Sequence, residues 1–381
     1  EREQKDRQFP LFSPGRQSKA GRSLRYLNHI QVFQRPLTRI AGLGIHLPEK
    51  IVDNETLAEQ VNAPERLRKR LPGIIDRTTR VRSRRHAGPG EYPSDLAAVA
   101  AKRAMEHAGI AHSDVDTLIY ASTDMDQLEP ATANILQQKL GWPVINSFDV
   151  SNACNSFLKA INVGNSLIAT GAAQCVVVCA AELGSHWINY DIRQKQDLRT
   201  KMGGLTLGDA AASVVLTPAD DDGAGIQEIN LVTLGEHWRL CHVPENIDWR
   251  AASPRSIHGW FYLDMSALAR IVKDLSINYF QEYRQHRHEM FGEEDFVDGL
   301  KKVVPHQISR RLIEEVVSKL HADMDMVAIT ADEFGNTAAA AIPLTLHMLI
   351  ESGETHWGTG DEILLFGAAS GLGMGHIRIR L

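Results

Sequence analysis

Apolar and polar positions along this chain form a pattern that occurs twice. Residues 144–150 read as a short buried strand, Ser151 to Cys154 turn the chain, and residues 155–169 follow with the spacing of an amphipathic helix closed by Gly171. Residues 326–330 predict a second strand, Phe334 to Thr337 its turn, and residues 338–351 its helix, closed by Gly353. Cys154 precedes Gly171 by 17 positions, and Asn336 precedes Gly353 by 17. Each helix leads into a further apolar strand, 175–181 and 362–367. Upstream, a strand at 117–120 and a helix at about 132–140 are echoed by a strand at 303–306 and a helix at 309–320. Two β-α-β-α-β copies predict an α/β protein in which a pseudo-twofold brings Cys154 and Asn336 together, with His306 one strand away.

With 381 residues, 43% of them apolar, the chain can bury a large core, and the likeness of the halves predicts one unit of two packed repeats. Residues 37–222 form the first half, with a nucleophilic cysteine, and 223–381 the second, with a histidine and an asparagine. Residues 1–36 are polar, rich in Arg and Gln, and lack the apolar core of a secretory signal, so they read as a loosely held arm. The net charge of −6 points to no nucleic-acid partner, and no apolar run approaches the length of a membrane span. The four cysteines (154, 175, 179, 241) show no disulfide spacing, which suggests a reducing cytoplasm.

Cys154 differs from an ordinary buried cysteine because it stands among polar residues at a helix N-terminus. There the helix dipole and free N–H groups favour a thiolate. Cys175 and Cys179 share the face of an apolar strand and read as core. His306, one of 16 histidines, and Asn336, which by itself would read as a helix cap, gain weight from the duplication. A thiolate attacking an acyl thioester, with neutral imidazole and carboxamide donating to an enolate oxygen, suits this trio. Glu129-Pro130 reads as the opening of a helix, the carboxylate serving its N-terminus, and Asp124 and Asp126 read as turn residues. Gly371-x-Gly373-x-Gly375 is followed by a strand, not a helix, so it predicts close backbone approach to a thioester carbonyl rather than a dinucleotide loop. No metal-ligand spacing is present, and no cofactor is expected. Between Arg66 and Arg85 nine basic residues face one acid, Asp76. Arg82 and Arg84 in this run are candidates for docking a phosphopantetheine or an acidic carrier.

Asp149-Val150-x-x-Ala153-Cys154, Val304-Pro305-His306-Gln307, Gly335-Asn336-Thr337-x-x-Ala340-x-Ile342-Pro343 and residues 208–216 together resemble the thiolase-superfamily condensing enzymes of the ketoacyl synthase III type, over residues 37–381. The resemblance implies a five-layer αβαβα thiolase fold, a homodimer and a ping-pong Claisen condensation of acyl-CoA or acyl carrier protein substrates through acylated Cys154. Within the superfamily, Leu128-Glu129-Pro130, Ser151-Asn152-Ala153-Cys154 and Glu236-His237-Trp238-x-Leu240-Cys241 resemble the OleA-type head-to-head acyl condensing enzyme. That likeness implies that Glu129 reaches across the dimer as the α-carbon base and that the backbone N–H groups of Cys154 and Ser370 form the oxyanion hole. A decarboxylative synthase using malonyl thioester stays open, as does an acyltransferase of the same fold that passes its acyl group to an alcohol or amine.

Overall fold

Two five-stranded mixed sheets organise the chain. A computed structural model describes residues 25–220, 223–243, 245–246 and 257–381. The first sheet runs, edge to edge, through Thr38–His46, Asp209–Pro218, Val176–Leu183, Thr117–Ala121 and Asn146–Val150, the last three parallel. The second runs through Gln31–Val32, Gly225–Thr233, Gly373–Arg380, Glu362–Ala369 and Leu300–Pro305, and only its last pair is parallel.

The helices Ser156–Ala169 and Ala341–Glu351 lie between the sheets, packed in one apolar cluster with residues of both. Their composition explains the position: a helix apolar on most of its surface is stable only where both sides are covered. All eight residues of Val176–Leu183 are buried for the same reason, since helices cover both faces of that strand. Pro93–Ala108 and Thr132–Leu140 cover the outer face of the first sheet, and Met265–Phe291 with Arg310–Leu320 cover that of the second. The layers are therefore α-β-α-β-α, as expected for a thiolase fold. At Gly367 a Cβ would lie 2.1 Å from Asn155 Oδ1, so a glycine there lets the helix behind Cys154 settle against the second sheet.

Four sequence expectations change. The expected strand at 326–330 does not form: Val327 makes one isolated bridge to Val303, and Ala331–Phe334 is a helical turn. The physical reason is Gln307, whose buried carboxamide donates to Ala328 O and Pro305 O and accepts the N–H groups of Thr330 and Ala331. One side chain thus takes the place of a strand ladder. Asn146–Val150 does form a strand, but it is a sheet edge and only half-buried, and Val144 is fully exposed. The helix after Pro130 starts at Thr132, and Asp149, not Glu129, serves its N-terminus by accepting the N–H groups of Thr132 and Ala133 at 2.8 Å each. Finally, the described part of the N-terminal arm is held firmly. Leu27 is fully buried, Tyr26 and Leu27 donate to Glu282, and Gln31–Val32 pairs with Gly225–Thr233. Residues 1–24 lie outside the described residues, as do 221–222 at the expected boundary between the halves.

Candidate active site

Cys154 stands where the edge strand Asn146–Val150 turns into the helix Ser156–Ala169. The turn is tight: Ser156 Oγ donates to Ala153 O and accepts the N–H of Asn152, each at 2.7 Å, and Ala153 is held at φ 49°. A left-handed alanine is uncommon and marks a backbone constrained by its surroundings. The backbone N–H groups of Cys154 and Ser370 are near enough to the thiol to favour its ionised form. Even so, burial pushes the Cys154 thiol well above the ordinary cysteine range, with the nearby Cys241 and Glu182 adding to the effect. This corrects the expectation of a resting thiolate. Desolvation outweighs the two N–H groups and the helix terminus, so burial favours the protonated thiol.

His306 follows the strand Leu300–Pro305, and its N–H donates to Phe366 O at 2.8 Å. Its ring is buried, Nδ1 has no partner among the described residues, and burial lowers its pKa to about 4. At neutral pH the imidazole is therefore uncharged, able to donate a hydrogen bond but carrying no charge. Asn336 comes from the opposite half. Gly335 before it takes φ 68°, in a gap where a Cβ would lie 2.3 Å from Thr206 O, so the turn requires glycine. Backbone bonds to Thr206 O and from Gly208 N fix Asn336, and its Oδ1 accepts the N–H of Ala338 at 3.0 Å. With Oδ1 engaged, Nδ2 is the free end of the amide.

Cys154, His306, Asn336 and Ser370 line one small cavity, with Phe261 and Leu263 among its apolar walls. The structure therefore gathers the three residues that the duplication singled out, together with Ser370. Cys241 lines the same cavity, a place that its sequence context did not indicate. A second, strongly apolar cavity shares Val272, His306, Ile308 and Ala368 with the first. It runs between Met265–Phe291 and Arg310–Leu320 past Phe280, Leu312 and Val317. No period in the sequence marks it, because its walls come from four separate segments.

Glu129 is not brought to this cavity within the chain. It sits beside Leu128, which is 75% exposed, on an exposed loop between Thr117–Ala121 and Thr132–Leu140. Asp124 is more than a turn residue: it is buried, accepts the N–H groups of Met125 and Leu183, and burial raises its pKa to about 6. Asp126 accepts from Ser94. Arg82 is exposed and paired with Asp332 at 3.0 Å. Arg84 is wholly buried and cannot dock a carrier. It donates to Val52 O, Asn54 Oδ1 and Leu205 O, and it passes beneath Gly208 and Gly335, supporting the Asn336 turn. The basic run instead contributes Arg66, Arg70 and Arg77 to a surface pocket completed by Arg193 and Lys195. The two sides of that pocket are more than a hundred residues apart in sequence, which is why spacing missed it. Among the described residues no group of three or more His, Cys, Asp or Glu could hold a metal, and no helix is long and apolar enough to cross a membrane.

A nucleophilic thiol, two neutral hydrogen-bond donors and two backbone N–H groups around an apolar cavity, on this five-layer frame, define a condensing acyltransferase with the thiolase architecture. Comparison with known proteins agrees. The family model for 3-oxoacyl-[acyl-carrier-protein] synthase III matches residues 148–235, and the one for its C-terminal part matches 297–381. The chain is 33% identical over 352 residues to the β-ketoacyl-[acyl-carrier-protein] synthase III of Thioalkalivibrio sulfidiphilus, covering 90% of this chain and 98% of that one. It is 32% identical to that of Roseiflexus sp., covering 87% and 95%. Among solved structures, the synthase III of Pseudomonas aeruginosa superposes with a TM-score of 0.74 at 27% identity, covering 90% of this chain and 98% of that one. A Xanthomonas campestris OleA variant with bound lauric acid and lauroyl-CoA reaches 0.78 at 24% identity, covering 91% and 99%, a likeness of fold. The chain belongs to the β-ketoacyl-[acyl-carrier-protein] synthase III family.

Proposed function

We propose that this enzyme loads an acyl group onto Cys154 and joins it, by Claisen condensation, to a second acyl or β-ketoacyl thioester. In the first half-reaction the Cys154 sulfur attacks the thioester carbonyl, the carbon–sulfur bond to the donor breaks, and the thiol proton leaves with the donor's sulfur. The developing oxyanion is held by the N–H groups of Cys154 and Ser370. In the second, the α-carbon of the extender becomes nucleophilic while Asn336 Nδ2 and neutral His306 donate to its enolate oxygen. That carbon attacks the acyl carbonyl, and Cys154 is released.

The observation that carries the two-chain reading is the apolar cavity that opens beside His306, separate from the space at the thiol. A malonyl extender has no chain to place there. A second alkyl chain would fill it, and condensing such an extender needs a base for the α-proton. Glu129 takes that role from the partner subunit of a homodimer. The open edge of Asn146–Val150, with exposed Val144 and Leu128 nearby, is a surface suited to such pairing. The pocket of Arg66, Arg70, Arg77, Arg193 and Lys195 receives the phosphates of CoA or of a carrier's pantetheine. Its apolar wall residue Ile74 packs in the cluster that also includes Phe261 at the thiol's cavity.

A decarboxylative reading has its own support, since Glu129 lies outside the cavity of its own chain and losing CO₂ from malonyl thioester needs no base. Intact-mass spectrometry and product analysis over a panel of CoA and carrier thioesters separate the two. An acyl adduct that Cys154→Ala abolishes, and a condensed product formed without malonyl donor, are the expected results. A strict requirement for malonyl thioester would establish the decarboxylative reaction, and an adduct discharged by a hydroxyl or amine acceptor would mean acyl transfer. Light scattering at micromolar concentration should show a dimer; only monomer would remove the role given to Glu129.

A further inference from the structure

Close to Cys154 lies a carboxylate that the proposed chemistry does not use. Glu182, near the end of the strand Val176–Leu183, has no exposed surface and no ion-pair partner among the described residues. Its Oε1 accepts the N–H groups of Thr123 at 2.9 Å and Ala339 at 3.2 Å, and its Oε2 that of Asp124 at 3.2 Å. These donors belong to two segments far apart in sequence. Thr123 and Asp124 begin the loop that carries Glu129. Ala339 follows Ala338, whose N–H holds Asn336 Oδ1 and whose backbone is kept at φ 45°, a conformation an alanine adopts only where its surroundings impose it. Asp124 Oδ2 answers by accepting the N–H of Leu183 at 3.0 Å, so loop and strand end are tied in both directions.

A carboxylate buried without a cation is costly, and burial pushes the Glu182 pKa up to about 8. An apolar side chain of similar size would pack here at lower cost, but it could not accept three backbone N–H groups. We propose that Glu182 is a positioning residue: one side chain sets both the turn that presents Asn336 Nδ2 and the loop that presents Glu129. Its catalytic consequence rests on the roles given above to Asn336 and Glu129, while its structural part stands apart from them.

Hydrogen exchange read by mass spectrometry on the full chain tests the structural part. Glu182→Ala removes both acceptor oxygens and with them all three bonds, and exchange in residues 122–131 and 335–341 should quicken by about tenfold or more while that of Gly373–Arg380 stays as in the wild type. Glu182→Gln keeps Oε1 for Thr123 and Ala339 but turns an amide N–H toward Asp124, so it should quicken mainly 122–131. Unchanged exchange in both segments, or an equal loss throughout the chain, would overturn the proposal; if the alanine variant does not fold, the glutamine variant decides by its effect on 122–131. Activity gives the second readout. Acylation of Cys154 should stay within about threefold of wild type, while kcat for condensation falls roughly 10- to 100-fold with little change in KM, the loss expected from slight misplacement of reacting groups, and glutamine should recover part of it. Acylation and condensation falling by one common factor would also overturn it. A wild-type enzyme that forms no condensed product counts against the condensing reading, and the exchange result alone then decides the role of Glu182.

Discussion

The two halves repeat one plan but differ where each sheet ends, and the difference separates their tasks. In the first half the strand before the nucleophile is complete, five residues in register with Thr117–Ala121, and its outer edge has no partner among the described residues. In the second half the equivalent strand is replaced by the Gln307 carboxamide and a helical turn, and the opposite edge is covered by Gln31–Val32 from the N-terminal arm. The second sheet is thus partly covered at both edges by other segments of the chain, and the first is left open beside Cys154 among the described residues. The half that carries the nucleophile keeps an uncovered edge strand, and the half that carries Asn336 has both sheet edges partly covered.

The largest effects should fall on chemistry that the two halves share. Cys154→Ala should abolish the acyl adduct in intact-mass spectra. Glu129→Gln should keep the adduct and lose condensed product by about 10²–10⁴ in rate, the usual worth of general-base help; condensation at the wild-type rate would break the link between the open edge and the site. Asn336→Ala should also keep the adduct and lose about 10²–10³ in condensation, as for removal of one preorganised donor. An equal loss of acylation would mean that the two junctions do not divide the work.

Stability tests sharpen the contrast further. Gln307→Leu leaves four backbone groups of the second half without partners, and each buried unpaired group costs about 1–3 kcal/mol, so thermal or urea unfolding should show a loss of several kcal/mol. Arg84→Met should destabilise by about 3 kcal/mol, because Val52 O, Asn54 Oδ1 and Leu205 O lose their guanidinium donor, whereas Arg82→Glu should change stability by less than about 0.5 kcal/mol.

The smallest effect concerns pH and two buried carboxylates on neighbouring frames. Burial raises Glu182, so its contribution to stability is full below pH about 4.5 and declines as pH rises toward about 8. For Glu228, burial acts in the same direction but is overcome by His376 and Arg287, and its pKa falls to about 2. Its contribution is full above pH about 4.5 and is lost as pH falls toward 2. Glu182→Gln should therefore flatten the decline in unfolding temperature between pH 5 and 8 and leave the acid limb unchanged.

Much of the site was legible in the chain because a duplication is a tertiary statement written in one dimension. Equal distances from Cys154 to Gly171 and from Asn336 to Gly353 imply equal units, and equal units packed about a pseudo-twofold must meet at equivalent points. His306 followed from the same logic. Apolar runs of the right length likewise determined most strands and helices, since burial on both faces leaves a sequence little choice of residue. Tertiary structure alone decided the rest. Arg82 and Arg84 look alike in a basic run, but Arg82 stands before the strand Ser83–His86, exposed and paired with Asp332, while Arg84 lies within it, buried beneath Gly335. The strand before Asn336 was lost to a single distant carboxamide, the thiol's proton affinity was set by desolvation rather than by its helix, and both the basic pocket and the second apolar cavity are assembled from separate segments. Local spacing encodes what neighbours in sequence do to one another; partners, burial and the electrostatics they control depend on residues that only folding brings together.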